Sequence, residues 1–311
     1  MPPAFSIVIP LYNKVHSIAD TVASVLSQQL SDFELIIVDD GSTDGSAQMV
    51  EGIRDDRIRL IKKENGGVSS ARNTGIGLAA ADHIAFLDAD DLWLPSFLKD
   101  MHALTRDFPE AGIYGAAYWC QTHGKRVRED VGLPEDFRGY IPSYFDQAVR
   151  HLLFWTSAVV VKKSALRQTG VFNEDISFGE DLDLWFRLAL EHPAAFCNKP
   201  LAIYNKDAEN RAMLRKQPYL TNLVAHLEKF KRFEDSHADF RQFINLFRCI
   251  QLYELFHAPD ITPDLIRKYE YSIEKQDLPL KYKAFLTMPV WLQRQILRGW
   301  HDVFSVMKTK R

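Results

Sequence analysis

The first part of the chain repeats one pattern: a short apolar run, a polar turn and a segment with helical spacing. Apolar runs cover residues 5–10, 33–38, 58–61 and 84–87, so a new run begins about every 25–30 residues. This alternation predicts an α/β fold in which helices cover a mostly parallel sheet. Right-handed crossovers place the carboxyl ends of such strands at one edge of the sheet, where open α/β sheets bind their ligands.

The fourth apolar run leads directly into Asp88-Ala89-Asp90-Asp91. Three carboxylates so close together repel one another, and burial adds to the repulsion. A divalent cation that prefers oxygen ligands, Mn²⁺ or Mg²⁺, shared with a phosphate-bearing ligand, would relieve this charge. The alternative is that Asp90 or Asp91 caps the next helix, which the pattern places at 95–108.

Polar pairs follow two other strand ends. Tyr12-Asn13 come after the first strand, and Asp39-Asp40 come after the second. Because parallel strands end at the same edge, we expect these pairs and the aspartates of 88–90 to meet in one crevice.

A second acidic cluster, Glu180-Asp181, follows Gly179 and opens a segment with helical spacing. Acidic side chains at a helix amino terminus complement its dipole and cap it, which contributes about 0.5–1 kcal/mol. The functional alternative is a general base aimed into the crevice, since the dipole favours an ionised carboxylate that can accept a proton from a hydroxyl.

Composition excludes several classes of protein. The 311 residues carry a net charge of −3, which gives no bias toward nucleic acid as a partner. The three cysteines are scattered, which argues against a disulfide framework or a zinc site and suits a reducing compartment. The first residues lack the pattern of a signal peptide, and no apolar stretch approaches the roughly 18 residues of a membrane span. We therefore expect a cytoplasmic protein.

After the first four strands the periodic pattern of apolar residues weakens and then returns. Residues 120–150 show little periodicity and predict an irregular excursion over the crevice. Strand and helix signals then return. The expected strands are 157–161, 195–198 and 201–204, with a helix at 163–168. We place a catalytic α/β domain at 1–215 and a helical region at 216–311. The expected helices of the second region are 219–233, 240–256, 263–273 and 289–307.

The final segment, 281–311, is basic and amphipathic, with seven Lys and Arg residues against one acid. Such a helix can lie on the inner face of an anionic membrane as a peripheral contact. It can equally pack on protein, including a second copy of this chain. The sequence leaves both open.

These motifs, in this order and spacing, resemble those of the family 2 glycosyltransferases, which have the GT-A fold. The resemblance covers about residues 4–210. The matching stretches are Val8–Asn13, Val38–Asp44, Asn65–Gly67 with Ala71–Asn73, Phe86–Asp91, and Gly179–Trp185.

The resemblance implies roles for particular residues. Asp90 would bind the metal with Asp88 as its partner, in the family's DXD motif, and Asp181 would be the catalytic base with Glu180 beside it. The nucleotide site would be formed by Pro10, Tyr12, Asn13, Asp39, Asp40, Arg72 and Asp88. From the residues alone, Asp39 can also cap a turn and Arg72 can also lie on a helix surface. Asp91 is expected to cap the following helix.

The implied reaction is transfer of a sugar, with inversion, from a nucleoside-diphosphate donor, expected to be a UDP-sugar. The acceptor would be a hydroxyl of a glycan or lipid-linked glycan in cell-surface polysaccharide biosynthesis. One departure is that many relatives have a histidine in the loop after Tyr204, where this chain has none. Lys206 or Arg211 can face the diphosphate instead, or the loop can simply be solvated.

Three other classes of function are alternatives to this one. A non-catalytic sugar-nucleotide-binding or scaffold protein would have the same fold. A nucleotidyltransferase usually needs a glycine-rich phosphate loop after the first strand, and a dinucleotide dehydrogenase needs GxGxxG there. The loop that begins at Leu11 has neither.

Overall fold

The structure is a computed structural model that describes residues 2–149, 151–211, 218–258, 260–274, 278–289 and 292–293. Contacts between residues divide the chain into two compact units. The first unit comprises residues 1–144 and 151–215, and the second comprises 145–150 and 216–311. The short segment 145–150 thus belongs with the end of the chain.

The first unit alternates strands and helices along most of its length. Its strands are β1 (Phe5–Leu11), β2 (Phe33–Asp39), β3 (Ile58–Lys62), β4 (His83–Phe86), β5 (Leu92–Trp93), β6 (Ile113–Thr122), β7 (Lys125–Arg128), β8 (Arg138–Tyr140), β9 (Val159–Lys162) and β10 (Ala194–Asn205). Its helices are α1 (Ile18–Leu26), α2 (Ser46–Glu51), α3 (Val68–Leu78), α4 (Phe97–Asp107), α5 (Tyr144–Ala148), α6 (Lys163–Thr169) and α7 (Glu180–Glu191), and α5 runs on into the segment 145–150. A 3-10 turn covers Thr156–Ala158.

The strands form one sheet in the order β3-β2-β1-β4-β9-β6-β10-β5, with β7 paired to β6 and β8 paired to β10. The pairs of β1 with β2 and β4, of β2 with β3, and of β6 with β10 are parallel. Each antiparallel pair involves β9 or one of the short strands β5, β7 and β8. The predicted α/β fold with a mostly parallel, helix-flanked sheet is confirmed.

Strand β1 lies at the centre of the hydrophobic core of the first unit, because both of its faces are covered. Ile7, Val8 and Ile9 are fully buried on alternating sides, as expected of a parallel strand between helix layers. Helix α3 approaches β1 very closely at Gly75, where an added Cβ would lie 2.4 Å from Val8 Cγ1. A side chain at position 75 would therefore push α3, with Arg72 on it, away from the sheet.

Several predicted elements differ from the structure, including the strand expected at 157–161, which begins at Val159 after the 3-10 turn. The excursion at 120–150 is more regular than expected, since β6 runs on to Thr122, pairs with β7 and is followed by β8 and α5. The two strands expected at 195–204 are one strand, β10, with register irregularities around Pro200. Helix α4 begins at Phe97 because Leu92–Trp93 pair with β10 as β5, which keeps the chain extended past Asp91.

The second unit is helical. It contains a 3-10 helix, Leu223–Phe230, followed by α8 (Lys231–Glu234), α9 (Ala238–His257), α10 (Pro263–Tyr271) and α11 (Leu280–Leu286). Nearly all of the helix predicted at 289–307 lies outside the described residues. Within the part of the chain that the structure describes, no helix is both long and apolar enough to cross a membrane.

Two contacts organise the described part of the helical unit. Arg248 and Glu234 form a buried ion pair of 2.7 Å. Phe145, 3% exposed, packs its ring 4.7 Å from that of Phe240 and 5.4 Å from that of Phe243. This aromatic packing accounts for the grouping of 145–150 with the helical unit.

Candidate active site

The loops after β1 and β2 are joined to each other. Asn13 N donates to Ser42 Oγ at 3.1 Å, and Thr43 N donates to Asn13 Oδ1 at 2.8 Å. Asn13 has a φ of +51°, a conformation that asparagine tolerates better than most residues. Asp39 Oδ1 accepts from Ser42 N at 3.1 Å, which is the contact expected of a turn cap. These hydrogen bonds between the two loops bring the carboxyl ends of β1 and β2 together.

Asp40 is buried and organises the turn before α3. Its carboxylate accepts from Lys63 Nζ at 2.7 Å and from the backbone of Gly66 and Gly67 at 3.0 and 2.8 Å. Because a buried carboxylate needs a counter-charge and several donors, these contacts explain how it is tolerated here. Lys63 was not singled out in the sequence. Contacts of Pro10, Tyr12, Asp39 and Asp40 with a nucleotide remain predictions.

Arg72 links the two acidic clusters. Its guanidinium contacts Asp88 Oδ1 at 2.7 Å and Glu180 Oε1 at 2.8 Å. Arg72 is 3% exposed, so it is not the helix-surface arginine considered as an alternative. Burial opposes its charge, but Asp88 and Glu180 outweigh burial and raise the pKa of Arg72. Arg72 thus joins the end of β4 to the start of α7, and its partner Glu180 lies 108 positions further along the chain.

Asp90 has a different cation, Lys14, whose Nζ lies 2.6 Å from Asp90 Oδ2. Burial raises the pKa of Asp90, and the neighbouring Asp88 raises it further while Lys14 opposes the rise. The same ammonium donates to the backbone oxygen of Glu209 at 2.5 Å. Lys14 therefore ties the end of β4 to the loop that follows β10.

Asp91 is not a helix cap, so this prediction was wrong. Its carboxylate, 1% exposed, accepts from Ser157 Oγ at 2.5 Å, Trp155 Nε1 at 3.1 Å and Asn205 N at 2.9 Å. Burial raises its pKa well above the usual range. The extended β5 separates Asp91 from α4, whose N-cap is Ser96. Asp91 instead joins β4, β9 and β10.

Glu180 and Asp181 open α7 behind Gly179, which occupies the N-cap position with a φ of +80°. Asp181 Oδ1 accepts from the backbone of Leu182 at 2.8 Å, and its Oδ2 accepts from Thr156 Oγ1 at 3.1 Å. Burial raises the pKa of both carboxyls, and repulsion from Asp181 helps to bring that of Glu180 to about 7. A carboxylate with a raised pKa is a stronger base near neutral pH.

The loop after Tyr204 is packed rather than freely solvated. The Glu209 carboxylate accepts from Ser17 Oγ at 2.5 Å and from His16 N at 3.1 Å. Arg211 donates to Tyr204 Oη at 2.7 Å and lies over its ring. Whether Lys206 or Arg211 meets a diphosphate remains a prediction.

The residues fit a metal that is shared with a substrate better than a metal held by protein alone. Among the described residues no group of three or more His, Cys, Asp or Glu side chains is arranged to hold a metal ion. Asp88 and Asp90 supply two carboxylates, and Mg²⁺ at phosphate-binding sites is commonly bound by one or two carboxylates plus phosphate oxygens and waters. Lys14 would have to leave Asp90 before a cation took its place.

Comparison with known proteins identifies the family. The model of glycosyl transferase family 2 matches residues 6–175, more than half of the chain. The chain belongs to this family. The sequence prediction of a family 2 glycosyltransferase is confirmed, and the protein is a glycosyltransferase.

Relatives agree with this assignment, and a solved structure shares the fold. EpsJ of Bacillus subtilis, an uncharacterized glycosyltransferase, is 31% identical over 74% of this chain and 68% of its own length. GgaA of the same organism, a minor teichoic acid biosynthesis protein, is 24% identical over 91% of this chain and 70% of its own length. The crystal structure of S. aureus TarS 1–349 in complex with UDP-GlcNAc matches with a TM-score of 0.62 and 19% identity. It covers 97% of this chain and 80% of the TarS chain. Glycosyltransferases of Rickettsia are longer, and the chain spans between 34% and 38% of them.

Proposed function

We propose that this glycosyltransferase moves a sugar from a UDP-sugar to a hydroxyl of a glycan or lipid-linked glycan, with inversion, and that it requires Mn²⁺ or Mg²⁺. The process we assign is cell-surface polysaccharide biosynthesis at the cytoplasmic side of the membrane. The observation that carries the proposal is the bridge of Arg72 between Asp88 and Glu180. It holds the proposed donor end of the site beside the proposed base.

The two acidic clusters have separate tasks in this reaction. A divalent cation bound by Asp88 and Asp90 would offset the negative charge that develops on the leaving diphosphate. Arg72 holds Asp88 and Glu180 in place and supplies a buried positive charge between them. The relative whose structure was solved with UDP-GlcNAc supports a nucleotide-sugar donor.

Asp181 accepts the proton of the acceptor hydroxyl as that oxygen attacks the anomeric carbon. One attack without a covalent intermediate inverts the configuration at that carbon. The carboxylate suits this step because burial raises its pKa, while hydrogen bonds from Thr156 and from the backbone of Leu182 favour its ionised form. In this proposal Glu180, paired with Arg72, orients the start of α7, and Asp181 takes the proton.

The test is the effect of Asp181→Asn on turnover. The variant is incubated with Mn²⁺ and a panel of UDP-sugars, and release of UDP is measured with water as the acceptor. Loss of a positioned general base is expected to lower turnover by about 10²–10⁴-fold, with little change in UDP binding. Asp100→Asn is the matched control, because Asp100 also lies in the first turn of a helix, α4, and pairs with Lys199 on the surface.

Unchanged turnover in Asp181→Asn would show that Asp181 is not the base. UDP binding without turnover of any donor by the wild-type protein would favour the competing function, a sugar-nucleotide-binding protein that retains the fold.

A further inference from the structure

Three consecutive residues, Trp155, Thr156 and Ser157, each donate a hydrogen bond to an aspartate of the site. Trp155 and Ser157 donate to Asp91, and Thr156 donates to Asp181. Thr156 is 2% exposed and Ser157 is fully buried. One short turn therefore contacts both acidic clusters.

This turn is held firmly from the side of the sheet. Ser157 Oγ accepts from Asp88 N at 3.1 Å while donating to Asp91, and its carbonyl oxygen accepts from Trp93 Nε1 at 2.6 Å. Directly after the turn, β9 enters the sheet between β4 and β6. Since Ser157 is fixed at three points, the neighbouring hydroxyl of Thr156 has a defined position.

The Thr156 hydroxyl and the backbone of Leu182 hold different oxygens of the same carboxylate. Thr156 Oγ1 contacts Asp181 Oδ2 at 3.1 Å, and Leu182 N contacts Oδ1 at 2.8 Å. Two donors on two oxygens restrict rotation of the carboxylate about its χ2 angle, which is otherwise broad. We infer that Thr156 is the positioning residue of the catalytic base, holding Asp181 ionised and oriented toward the acceptor hydroxyl. This inference rests on the proposed role of Asp181.

Other charged and titratable groups also act on this carboxylate. Arg72 on α3 favours its ionised form, whereas Asp88 at the end of β4 and Glu180 on α7 oppose it. Burial raises the pKa of Tyr144 on α5, and the charge of Asp181 raises it further. Thr156 differs from the charged groups among these because it is a neutral donor, so its removal changes a hydrogen bond without changing the charge of the site.

The experiment compares Thr156→Val, which keeps the shape but removes the donor, with Thr156→Ser, which keeps the donor. UDP release from UDP-sugars in Mn²⁺ is measured as a function of pH, and UDP affinity is measured by calorimetry. Thr156→Val is expected to lower kcat by about 10- to 100-fold, as for loss of a hydrogen bond to a charged group, while KM for the donor stays within about twofold. Thr156→Ser is expected to restore kcat to within about threefold of the wild type.

The pH profile separates positioning from a merely structural role. A hydrogen bond to the ionised carboxylate lowers its pKa, so Thr156→Val is expected to move the acidic limb of kcat to higher pH. Thr156→Ala, which also lacks the donor but adds no methyl group beside the carboxylate, is expected to show the same shift. Thr105→Val is the matched control, since Thr105 is buried on α4 and donates to the carbonyl oxygen of His102.

The possible results are distinguishable. If Asp181→Asn loses turnover while Thr156→Val and Thr156→Ala keep the wild-type kcat and pH profile, Asp181 is the base but Thr156 does not position it. A loss in Thr156→Val that Thr156→Ser does not restore also overturns the inference. If Asp181→Asn keeps turnover, the proposed function of this site is wrong.

Discussion

Asp88 and Asp90 after β4 and Asp181 at the start of α7 are the same kind of side chain with different hydrogen-bond partners. Asp88 and Asp90 each face a cation, Arg72 and Lys14. Asp181 instead accepts from a hydroxyl and a backbone N–H, which are neutral. A lysine ammonium can be exchanged for a metal ion, whereas neutral donors leave the negative charge available to receive a proton. The partner of each carboxylate, more than the carboxylate itself, indicates its role.

The largest effect, on the stability of the fold, is expected from replacing Arg72, which joins the two acidic clusters. Arg72→Met leaves Asp88 and Glu180 without their shared cation and is expected to lower the free energy of unfolding by about 3–5 kcal/mol, as for breaking a buried ion pair. Denaturant unfolding measures this. Arg57→Met is the control, because Arg57 pairs with Asp55 near the surface and its loss is expected to cost no more than about 1 kcal/mol. Equal losses in the two variants would contradict the bridging role.

A smaller effect is expected to distinguish the roles of Asp90 and Asp91, which are neighbours in the first cluster. Asp91→Asn places an amide group where Ser157 and Trp155 donate, and it is expected to destabilise the fold by about 1–3 kcal/mol without changing Mn²⁺ affinity. Asp90→Asn should lower Mn²⁺ affinity with little change in fold stability, because the partner of Asp90 is a single lysine. Thermal unfolding and Mn²⁺ titration followed by electron paramagnetic resonance give the two readouts. A Mn²⁺ affinity lowered by Asp91→Asn would assign that residue to the metal.

The smallest effect concerns the cation on Asp90. Lys14→Met removes a positive charge that competes with a metal ion, so Mn²⁺ binding without UDP is expected to tighten by about fivefold, the equivalent of an ion pair of about 1 kcal/mol. Lys199→Met, which breaks the exposed pair with Asp100, should leave the affinity unchanged. Weaker Mn²⁺ binding by Lys14→Met would show that Lys14 assists the metal rather than competing with it.

The sequence predicted the sheet, and the position of the first acidic cluster just after β4, because both follow from local patterns. Apolar runs locate β1 to β4, and the polar residues after them mark the sheet edge. The contacts of Arg72, Lys14 and Thr156 were not predictable in the same way, since each joins segments far apart in the chain. The one available signal for Thr156 was a pair of hydroxyl residues within the apolar stretch 152–161.

Asp91 shows why a correct motif can still be given a wrong role. The acidic residue before an apolar stretch looks like an N-cap, and the prediction assumed that the helix followed at once. Pairing of Leu92–Trp93 with β10 delays the helix to Phe97. That pairing depends on a strand more than 100 residues away, so no window around Asp91 contains the information.

The grouping of 145–150 with the helical unit has a practical consequence for making a shorter protein. Truncation after residue 215 would remove Phe240 and Phe243 but keep Phe145, whose ring packs against both. In the shortened chain Phe145 would have lost both aromatic partners and become exposed, and such exposed apolar surface promotes aggregation. A shorter version of this glycosyltransferase therefore requires substitutions in the segment 145–150 as well as truncation after residue 215.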